Sequence, residues 1–191
     1  MTTAPAYWED RSWKALALAP IGAVYGRVTL AGMARAAKVK PAPVPVICVG
    51  NLIAGGAGKT PTAIAVGRAL TALGRKPAFL SRGYGGALAG PVRVDPDQHA
   101  ASDVGDEPLL LARAGPTYIA KDRPAGLPVA IDAGADIIVL DDGFQNPSLS
   151  RDASLVVIDA AYGVANGFCL PAGPLRAPIA GQMRHADALV V

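Results

Sequence analysis

The sequence contains few of the residues from which small cross-linked or metal-stabilised proteins are built. Its 191 residues include two cysteines, two histidines and 5% aromatic residues. Cys48 and Cys169 show no C-x-x-C spacing, so they imply neither a disulfide nor a metal site and are typical of a reducing compartment. His99 and His185 show no ligand or triad spacing, and we interpret both as surface or core residues. The core must therefore be aliphatic, and the apolar content of 51% is enough to build one domain.

Charge is also sparse, and it is unevenly distributed. Only 17% of the residues are charged, which argues against intrinsic disorder. Residues 1–40 hold six basic residues but only Glu9 and Asp10 as acids, a net +4 against +3 for the whole chain. Because no Lys/Arg stripe and no interleaved aromatic platform occurs elsewhere, nucleic acid is not an expected partner. No obligate protein partner is indicated either.

Residues 1–40 also lack an uninterrupted apolar run. Pro20 and three glycines break the pattern, which predicts an interrupted helix and argues against a membrane span. Trp8 and Trp13 on an apolar body flanked by cations suit the headgroup region of an anionic membrane. A helix pair docked on the protein's own surface explains the pattern equally well, and both interpretations stay open at this point. The Pro-rich residues 40–45 predict a stiff extended linker.

A glycine-rich loop at residues 50–60, GNLIAGGAGKT, is the main functional motif of the chain. It follows the short apolar run VICV and precedes an apolar-periodic segment at residues 63–73, so its context is strand, glycine loop, helix. That context is the one in which a phosphate-binding loop occurs. The usual G-x-x-x-x-G-K-[ST] pattern is met except at its first position, where this chain has Ile53.

Each residue type in this loop has a physical use at a phosphate. We expect Gly55, Gly56 and Gly58 to take positive φ and, with Ala57, to turn backbone N–H groups toward a bound phosphate. Lys59 would contact the β- and γ-phosphates, and Thr60 would offer its hydroxyl to Mg²⁺. A glycine-rich turn with a solvated lysine is the alternative interpretation.

Short aliphatic runs alternate with helical segments after the loop. Strands are predicted at residues 77–80, 92–94, 117–120, 136–140, 155–158 and 188–191, and helices at 105–114 and up to 133. Almost wholly aliphatic strands are typical of a parallel sheet covered on both faces. The predicted fold is α/β: a doubly wound, mostly parallel, P-loop NTPase-like sheet with helices on both faces, preceded by an N-terminal amphipathic helical segment.

An acidic pair, Asp141 and Asp142, follows one of these predicted strands. Open α/β sheets place ligand-facing residues at the carboxyl ends of their strands. An acidic residue there, together with Thr60, is the usual way to hold Mg²⁺ on a nucleoside triphosphate. By itself the sequence Asp-Asp-Gly is more often a turn, so the interpretation depends on Lys59 and Thr60. The two motifs together indicate a P-loop phosphotransferase or NTPase.

Three further motifs are candidate parts of the site, and the first two of them have two interpretations each. Asp106 and Glu107, in GDEP, either cap a helix or accept a proton from an acceptor hydroxyl. Residues 81–86, SRGYGG, hold an anionic or sugar-like ligand or form a flexible surface loop. Arg176, in LPAGPLR, is a candidate phosphate ligand in a rigid irregular stretch.

Taken in order, these motifs resemble one family, the tetraacyldisaccharide 4'-kinases that act on lipid A precursors in Gram-negative bacteria. The matching pieces are VGN with GGAGKTP, SRGYGG, GDEP, LDDGFQ, LPAGPLR and ADALVV, over residues 49–191. The resemblance implies a kinase that transfers the γ-phosphate of ATP to the 4'-hydroxyl of a tetraacyl glucosamine disaccharide 1-phosphate. It further implies a membrane-associated helical segment at residues 1–40, a P-loop kinase domain at residues 41–191, and a location at the cytoplasmic face of the bacterial inner membrane.

The resemblance also implies a role for each site residue. Lys59 and Thr60 bind phosphate and Mg²⁺, and Asp141 and Asp142 are the acidic residues beside the Mg²⁺. Asp106 is the general base, with Glu107 beside it. Arg176 contacts phosphate. Members of this family are longer, with a second lobe that supplies a histidine partner for the base. We therefore expect residues 1–191 to bind ATP but to be a poor kinase by themselves.

Two other functions fit a phosphate loop. A nucleotide-dependent switch or assembly factor specific for guanine would show an N-K-x-D motif, which does not occur in this sequence. A small-metabolite kinase or ligase of similar architecture would have no use for the cationic, apolar segment at residues 1–40.

Overall fold

The computed structural model describes residues 4–36 and 39–191. Within them a seven-stranded sheet has the order β3-β4-β2-β5-β1-β6-β7. The strands are β1 (Val46–Asn51), β2 (Pro77–Ser81), β3 (Val92–Arg93), β4 (Thr117–Ile119), β5 (Ile137–Asp141), β6 (Ala153–Val157) and β7 (Ala188–Val190). Neighbouring strands run parallel except β3, which is antiparallel to β4. The predicted mostly parallel sheet is confirmed.

Helices connect the strands. They are α1 (Trp13–Ala36), α2 (Lys59–Ala72), α3 (Ala101–Val104), α4 (Asp106–Ala112), α5 (Arg123–Asp132) and α6 (Ile179–Met183), and a 3₁₀ turn lies at Ala6–Trp8. Gly105 separates α3 from α4 because it takes a φ of 92°, which does not continue a helix. The helix predicted at residues 105–114 is therefore α4, with its last turn ending two residues early.

Both faces of the sheet are covered, which explains the aliphatic strands. Alternate side chains belong to different core clusters: Leu80 and Leu140 point to one face, Phe79 and Val139 to the other. Helices α2 and α4 pack on the face of Phe79, and α5 packs on the opposite face with part of α1. Every residue of β5 is buried, as expected for a central strand between two helical layers.

Helix α1 is one continuous helix, so the predicted interruption at Pro20 is wrong. Pro20 is exposed, so the carbonyl that loses its N–H partner lies on the solvent side of the helix. Gly22 and Gly26 lie on the buried side, where a Cβ would be 2.5 Å from the Cys169 carbonyl oxygen and 2.7 Å from Cys169 Sγ, respectively. Met33 is fully buried in the main core. Gly22 and Gly26, which argued against a helix in the sequence, are thus the residues that allow α1 to pack closely against Cys169.

The opposite side of α1 is apolar and faces outward. Its exposed large side chains are Trp13, Leu16, Ile21, Val24, Tyr25 and Val28. By length and composition, Trp13–Arg35 is long and apolar enough to cross a membrane. The outward side of the predicted N-terminal helix thus carries these apolar side chains together with the exposed cations Lys14, Arg27 and Arg35.

Candidate nucleotide-binding site

The predicted site residues meet at the carboxyl ends of two adjacent strands. Val49 of β1 pairs in register with Asp141 of β5, and the Asp142 N–H donates to the Val49 carbonyl at 3.0 Å. The glycine-rich loop leaves the end of β1, so it begins beside the acidic pair. This edge of the sheet is where a doubly wound fold binds its ligand.

The loop conformation depends on two of its glycines. Gly55 and Gly58 have φ values of 116° and 78°, which other residues rarely adopt. The expectation of positive φ at Gly56 is wrong, because the chain reverses at Gly55 and Gly58 alone. A Cβ built on Gly55 or Gly56 would meet no atom within 4 Å, while Ala57 is buried. The loop therefore borders open space on the side where a phosphate would bind.

Ile53 explains the departure from the usual motif. Its side chain is buried, and its backbone forms an antiparallel bridge with Leu175. The Ala54 N–H also donates to the Pro174 carbonyl at 2.7 Å. A short bridge thus holds the start of the loop where the general pattern has a glycine turn.

Lys59 is not a solvated surface lysine. Its side chain is 5% exposed, and Nζ lies 4.0 Å from Asp142 Oδ1. Nζ also donates to the Gly55 carbonyl at 3.0 Å. The ammonium group is therefore held directly under the loop, which excludes the alternative of a plain glycine-rich turn.

Thr60 and Asp141 form a buried pair. Thr60 Oγ1 donates to Asp141 Oδ2 at 3.2 Å, and Asp141 is 1% exposed. The pKa of Asp141 is raised to about 7, first by burial and then by the charges of Glu107 and Asp142, while the Thr60 hydrogen bond and the Lys59 charge oppose the rise. A bound cation would favour the ionised form of this carboxyl.

Asp142 has an unusual backbone conformation, and three basic residues lie against it. Its φ is 52°, a strained value for a residue other than glycine. Arg123 donates to its carbonyl oxygen at 2.7 Å, and Arg176 Nη2 lies 3.3 Å from its Oδ2. Together with Lys59 these contacts fix the carboxylate toward the loop.

Arg123 is a site residue that the sequence analysis missed. It begins α5 and is 5% exposed; burial lowers its pKa, and the nearby charges of Asp142 and Arg82 act in opposite directions. Its Nε has no hydrogen-bond partner among the described residues. The signal that could have identified Arg123 is its position at the start of a helix, because a cation in the first turn interacts unfavourably with the helix dipole. Such a placement requires a nearby acceptor, here Asp142.

Arg176, the candidate phosphate ligand in LPAGPLR, lies against the phosphate loop. Its Nε donates to the Ile53 carbonyl at 3.0 Å, and its backbone N–H donates to the Leu52 carbonyl at 3.0 Å. The guanidinium therefore lies between the first half of the loop and Asp142. A phosphate in the loop would be within the reach of this charge.

The motifs SRGYGG and GDEP pack against each other. A Cβ on Gly105 would collide with the Tyr84 carbonyl oxygen, and one on Gly86 would lie 2.6 Å from the Asp103 carbonyl oxygen. Asp106 and Glu107 are exposed at the start of α4. The charge of Glu107 contributes to the raised pKa of Asp141, so the start of α4 lies close enough to the acidic strand end to influence it. Tyr84 itself is 84% exposed.

The residues present fit a magnesium ion that is shared with a nucleotide. Asp141 Oδ1 and Asp142 Oδ1 are buried without a hydrogen-bond partner in the part of the chain that the structure describes. In the same part, no group of three or more His, Cys, Asp or Glu could hold a metal alone. Mg²⁺ bound with a nucleotide needs only one or two carboxylates, because phosphates and water supply the other ligands. Thr60 would add its hydroxyl.

The parallel sheet, the glycine loop with its buried lysine, and the acidic residues on the next strand define a P-loop nucleotide-binding protein of the class that contains kinases and NTPases. Residues 14–191 match the family model described as tetraacyldisaccharide-1-P 4'-kinase, LpxK. The chain belongs to that family.

Relatives named tetraacyldisaccharide 4'-kinase are similar over nearly the whole chain. Those of Methylobacterium sp. (strain 4-46) and Rhodopseudomonas palustris (strain BisB18) are 57% and 52% identical over 98% of this chain. The chain spans 57% and 54% of their lengths. A crystal structure of LpxK from Aquifex aeolicus, described as an "apo" form in complex with ATP, aligns with a TM-score of 0.78 and 31% identity, covering 92% of this chain and 57% of that one.

Proposed function

We propose that this chain is the nucleotide-binding part of an ATP-dependent kinase that phosphorylates the 4'-hydroxyl of a tetraacyl glucosamine disaccharide 1-phosphate in lipid A biosynthesis. The observation that carries the proposal is the buried cluster of Lys59, Thr60 and Asp141 directly under an open glycine loop. Membership in the LpxK family supports the acceptor. The ATP complex of the Aquifex aeolicus protein supports the donor.

The phosphate groups of ATP would lie along residues 55–60. The loop offers backbone N–H groups, Lys59 offers a positive charge from below, and Arg176 offers a second charge from the side. Phosphoryl transfer depends mainly on positioning and charge neutralisation. Lys59 and Arg176, which both lie against the Asp142 carboxylate, would supply two cations for this purpose.

Thr60 and Asp141 would hold Mg²⁺, and Asp142 would orient Lys59 and Arg176. This division follows from the contacts, because Asp141 is hydrogen-bonded to Thr60 whereas Asp142 lies against the two basic side chains. When bound, Mg²⁺ supplies neutralisation of the charge on the phosphate oxygens. Arg123 fixes the backbone of Asp142 and is a positioning residue for this arrangement.

Asp106 would act as the general base, with Glu107 beside it. Its carboxylate accepts the proton of the 4'-hydroxyl as the hydroxyl oxygen bonds to phosphorus and the bond to the β,γ-bridging oxygen breaks. Exposure of Asp106 at the start of α4 suits contact with a separate acceptor molecule.

The substrate is acylated, and α1 is the element suited to a membrane surface. We infer peripheral binding at the cytoplasmic face of the inner membrane, with Trp13, Val24 and Val28 in the headgroup region. Crossing the bilayer would require α1 to leave the core, where Met33 is fully buried. A helix that is docked along one side and apolar along the other fits a surface location.

The proposal is tested by following the γ-phosphate of radiolabelled ATP in the complete protein, with and without the lipid disaccharide in mixed micelles. We expect label in the lipid, and little release of inorganic phosphate when the lipid is omitted. Hydrolysis that is independent of the lipid, with no labelled lipid, would favour a nucleotide-dependent switch and contradict the kinase proposal.

A further inference from the structure

Asn166 joins the N-terminal segment to the loop that carries Arg176. It is 6% exposed, and its Nδ2 lies within hydrogen-bond distance of three carbonyl oxygens: those of Tyr7 at 3.0 Å, Asp10 at 3.1 Å and Ala172 at 3.0 Å. Its Oδ1 accepts from the Phe168 N–H at 3.0 Å. One side chain thus satisfies backbone groups on both sides of the junction.

The backbone of Asn166 and its neighbours reinforce the junction. The Asn166 N–H donates to the Trp8 carbonyl at 3.0 Å, and Arg11 Nε donates to the Asn166 carbonyl at 3.3 Å. The Trp8 indole donates to the Pro171 carbonyl at 3.0 Å. A Cβ on Gly173 would collide with Asn166 Oδ1, so the side chain fills its space fully. Buried polar networks that are fully satisfied in this way specify one local geometry.

From this junction, backbone contacts lead directly to Arg176. The Leu175 N–H donates to the Phe168 carbonyl at 3.0 Å, and the Leu170 N–H donates to the Leu175 carbonyl at 2.9 Å. Leu175 also bridges to Ile53 at the start of the phosphate loop. Arg176 follows, with its guanidinium against Ile53 and Asp142. The position of Arg176 is therefore set from two sides, by the phosphate loop and by the turn that Asn166 holds.

We propose that Asn166 is a positioning residue for Arg176, and that residues 5–12 act through it as a brace of the phosphate site rather than only as the lead into a membrane-binding helix. The inference rests on the proposed kinase function. No contact between Asn166 and a substrate is required, because Asn166 acts through residues 168–175. The brace also connects the start of α1 to the guanidinium that would contact phosphate.

A double-mutant cycle in the complete protein tests this coupling, with turnover and the KM for ATP measured for wild type, Asn166→Ala, Arg176→Ala and the double variant. Asn166→Ala should lower kcat by about tenfold, as loss of a positioning contact does, with little change in KM. In the Arg176→Ala background the same change should have less than about a twofold effect, because residues that act as a unit are not additive.

Asn146→Ala is the matched control. The Asn146 side chain also closes a turn, accepting from the Ser148 N–H at 2.7 Å, but it has no contact with residues 166–176 among its hydrogen bonds. Any effect of this control on kcat should be the same with and without Arg176. An additive cycle for Asn166 as well would overturn the proposal and leave Asn166 a residue that only stabilises the fold.

Trp8→Phe provides a milder variant if Asn166→Ala does not fold. It keeps an aromatic ring and removes only the donor to Pro171. We expect a smaller fall in kcat that disappears in the Arg176→Ala background; an equal fall in both backgrounds would contradict the brace. If the wild-type protein transferred no phosphate to the lipid, the proposed function would be contradicted. The brace would then be tested separately, by measuring the affinity for a non-hydrolysable ATP analogue in the same double-mutant cycle and asking whether the effects of Asn166→Ala and Arg176→Ala are additive.

Discussion

At the scale of single residues, the backbone of Asp142 depends on Arg123. The guanidinium donates to a carbonyl oxygen in a strained, left-handed residue, and it does so from a buried position. A buried acceptor that loses its donor costs about 1–3 kcal/mol. The contact therefore stabilises both the fold and the orientation of the Asp142 carboxylate.

Arg123→Met should weaken ATP binding and lower the free energy of unfolding by about 1–3 kcal/mol. Methionine keeps most of the buried volume but donates no hydrogen bond to Asp142. Calorimetric titration with an ATP analogue and urea denaturation measure the two effects. Arg68→Met, an exposed arginine on α2, is the control. Unchanged ATP affinity in Arg123→Met would show that Asp142 does not need this tether.

The ionisation of Asp141 predicts how stability depends on pH in the metal-free protein. The pKa of Asp141 is raised from 3.8 to about 7, so the folded state binds this proton more tightly than the unfolded state. The contribution to stability is full below about pH 4, decreases as the pH rises toward 7, and is lost above it. The loss is on the order of 2–4 kcal/mol.

Urea denaturation at pH 5 and pH 8 in the presence of a chelator measures this loss. Asp141→Asn removes the titrating group, so this variant should lose less stability between the two pH values than wild type does. The same decrease in both proteins would mean that another group is responsible.

Asp106→Asn should lower turnover by about 100-fold or more, since it removes a general base, while the affinity for ATP stays nearly the same. Asp106 is exposed at the start of α4, whereas Lys59 and Thr60 are buried. Turnover and calorimetric ATP binding are measured on the same preparations. A parallel loss of ATP affinity would reassign Asp106 to the nucleotide or its metal.

At the scale of elements, the central strands could be predicted from the sequence. The observed bounds of β2, β5 and β6 lie within two residues of those predicted, because strands buried on both faces are continuous aliphatic runs. The phosphate loop and the acidic strand end were also predictable, since the chemistry requires particular residues at fixed places. The φ angle of Gly56 was not predictable, because φ at each glycine depends on how the whole loop turns.

Three features depended on how distant parts of the chain pack, so the local sequence did not predict them. Pro20 suggested a broken helix, but it lies on an exposed side of α1, where the missing hydrogen bond costs least. Gly22 and Gly26 form a docking surface only against Cys169, which is far away in the sequence. Arg123 gave no motif, because its acceptor is the backbone of Asp142, 19 positions away.

The outward side of α1 should bind membranes. Val24→Glu combined with Val28→Glu places two charges on that side without touching the docked side, and vesicle binding should fall by about tenfold or more. Leu73→Glu with Val129→Glu is the control, since both residues are exposed and apolar, Leu73 directly after α2 and Val129 on α5. Flotation with anionic vesicles measures binding. Unchanged flotation of the α1 variant would mean that α1 is only a docked helix.

These substitutions are more informative than deletion of residues 1–40. Deletion would also remove Met33 from the main core and residues 5–12 from Asn166. A loss of binding after deletion would therefore not separate membrane contact from folding.

At the scale of the whole molecule, one edge of the sheet gathers all the charged groups assigned to ATP and Mg²⁺. The phosphate loop, the acidic strand end and the Arg176 loop meet there, and the Asn166 junction connects that edge to the start of α1. Helix α1, with its exposed apolar side chains, and the proposed phosphate site are thus parts of one packed unit. We expect this edge of the sheet to transfer phosphate from ATP in the complete protein, with Lys59 required for the transfer.

The most direct test is the amount of labelled lipid formed from γ-labelled ATP by the complete protein, compared side by side for wild type, Lys59→Ala and Lys76→Ala. Lys76 is an exposed lysine before the opposite end of the sheet and serves as the control. We expect wild-type rates for Lys76→Ala and a loss of at least about 1000-fold for Lys59→Ala, which removes the buried charge at the phosphates. Labelled lipid formed by Lys59→Ala at the wild-type rate would contradict the assignment of this site.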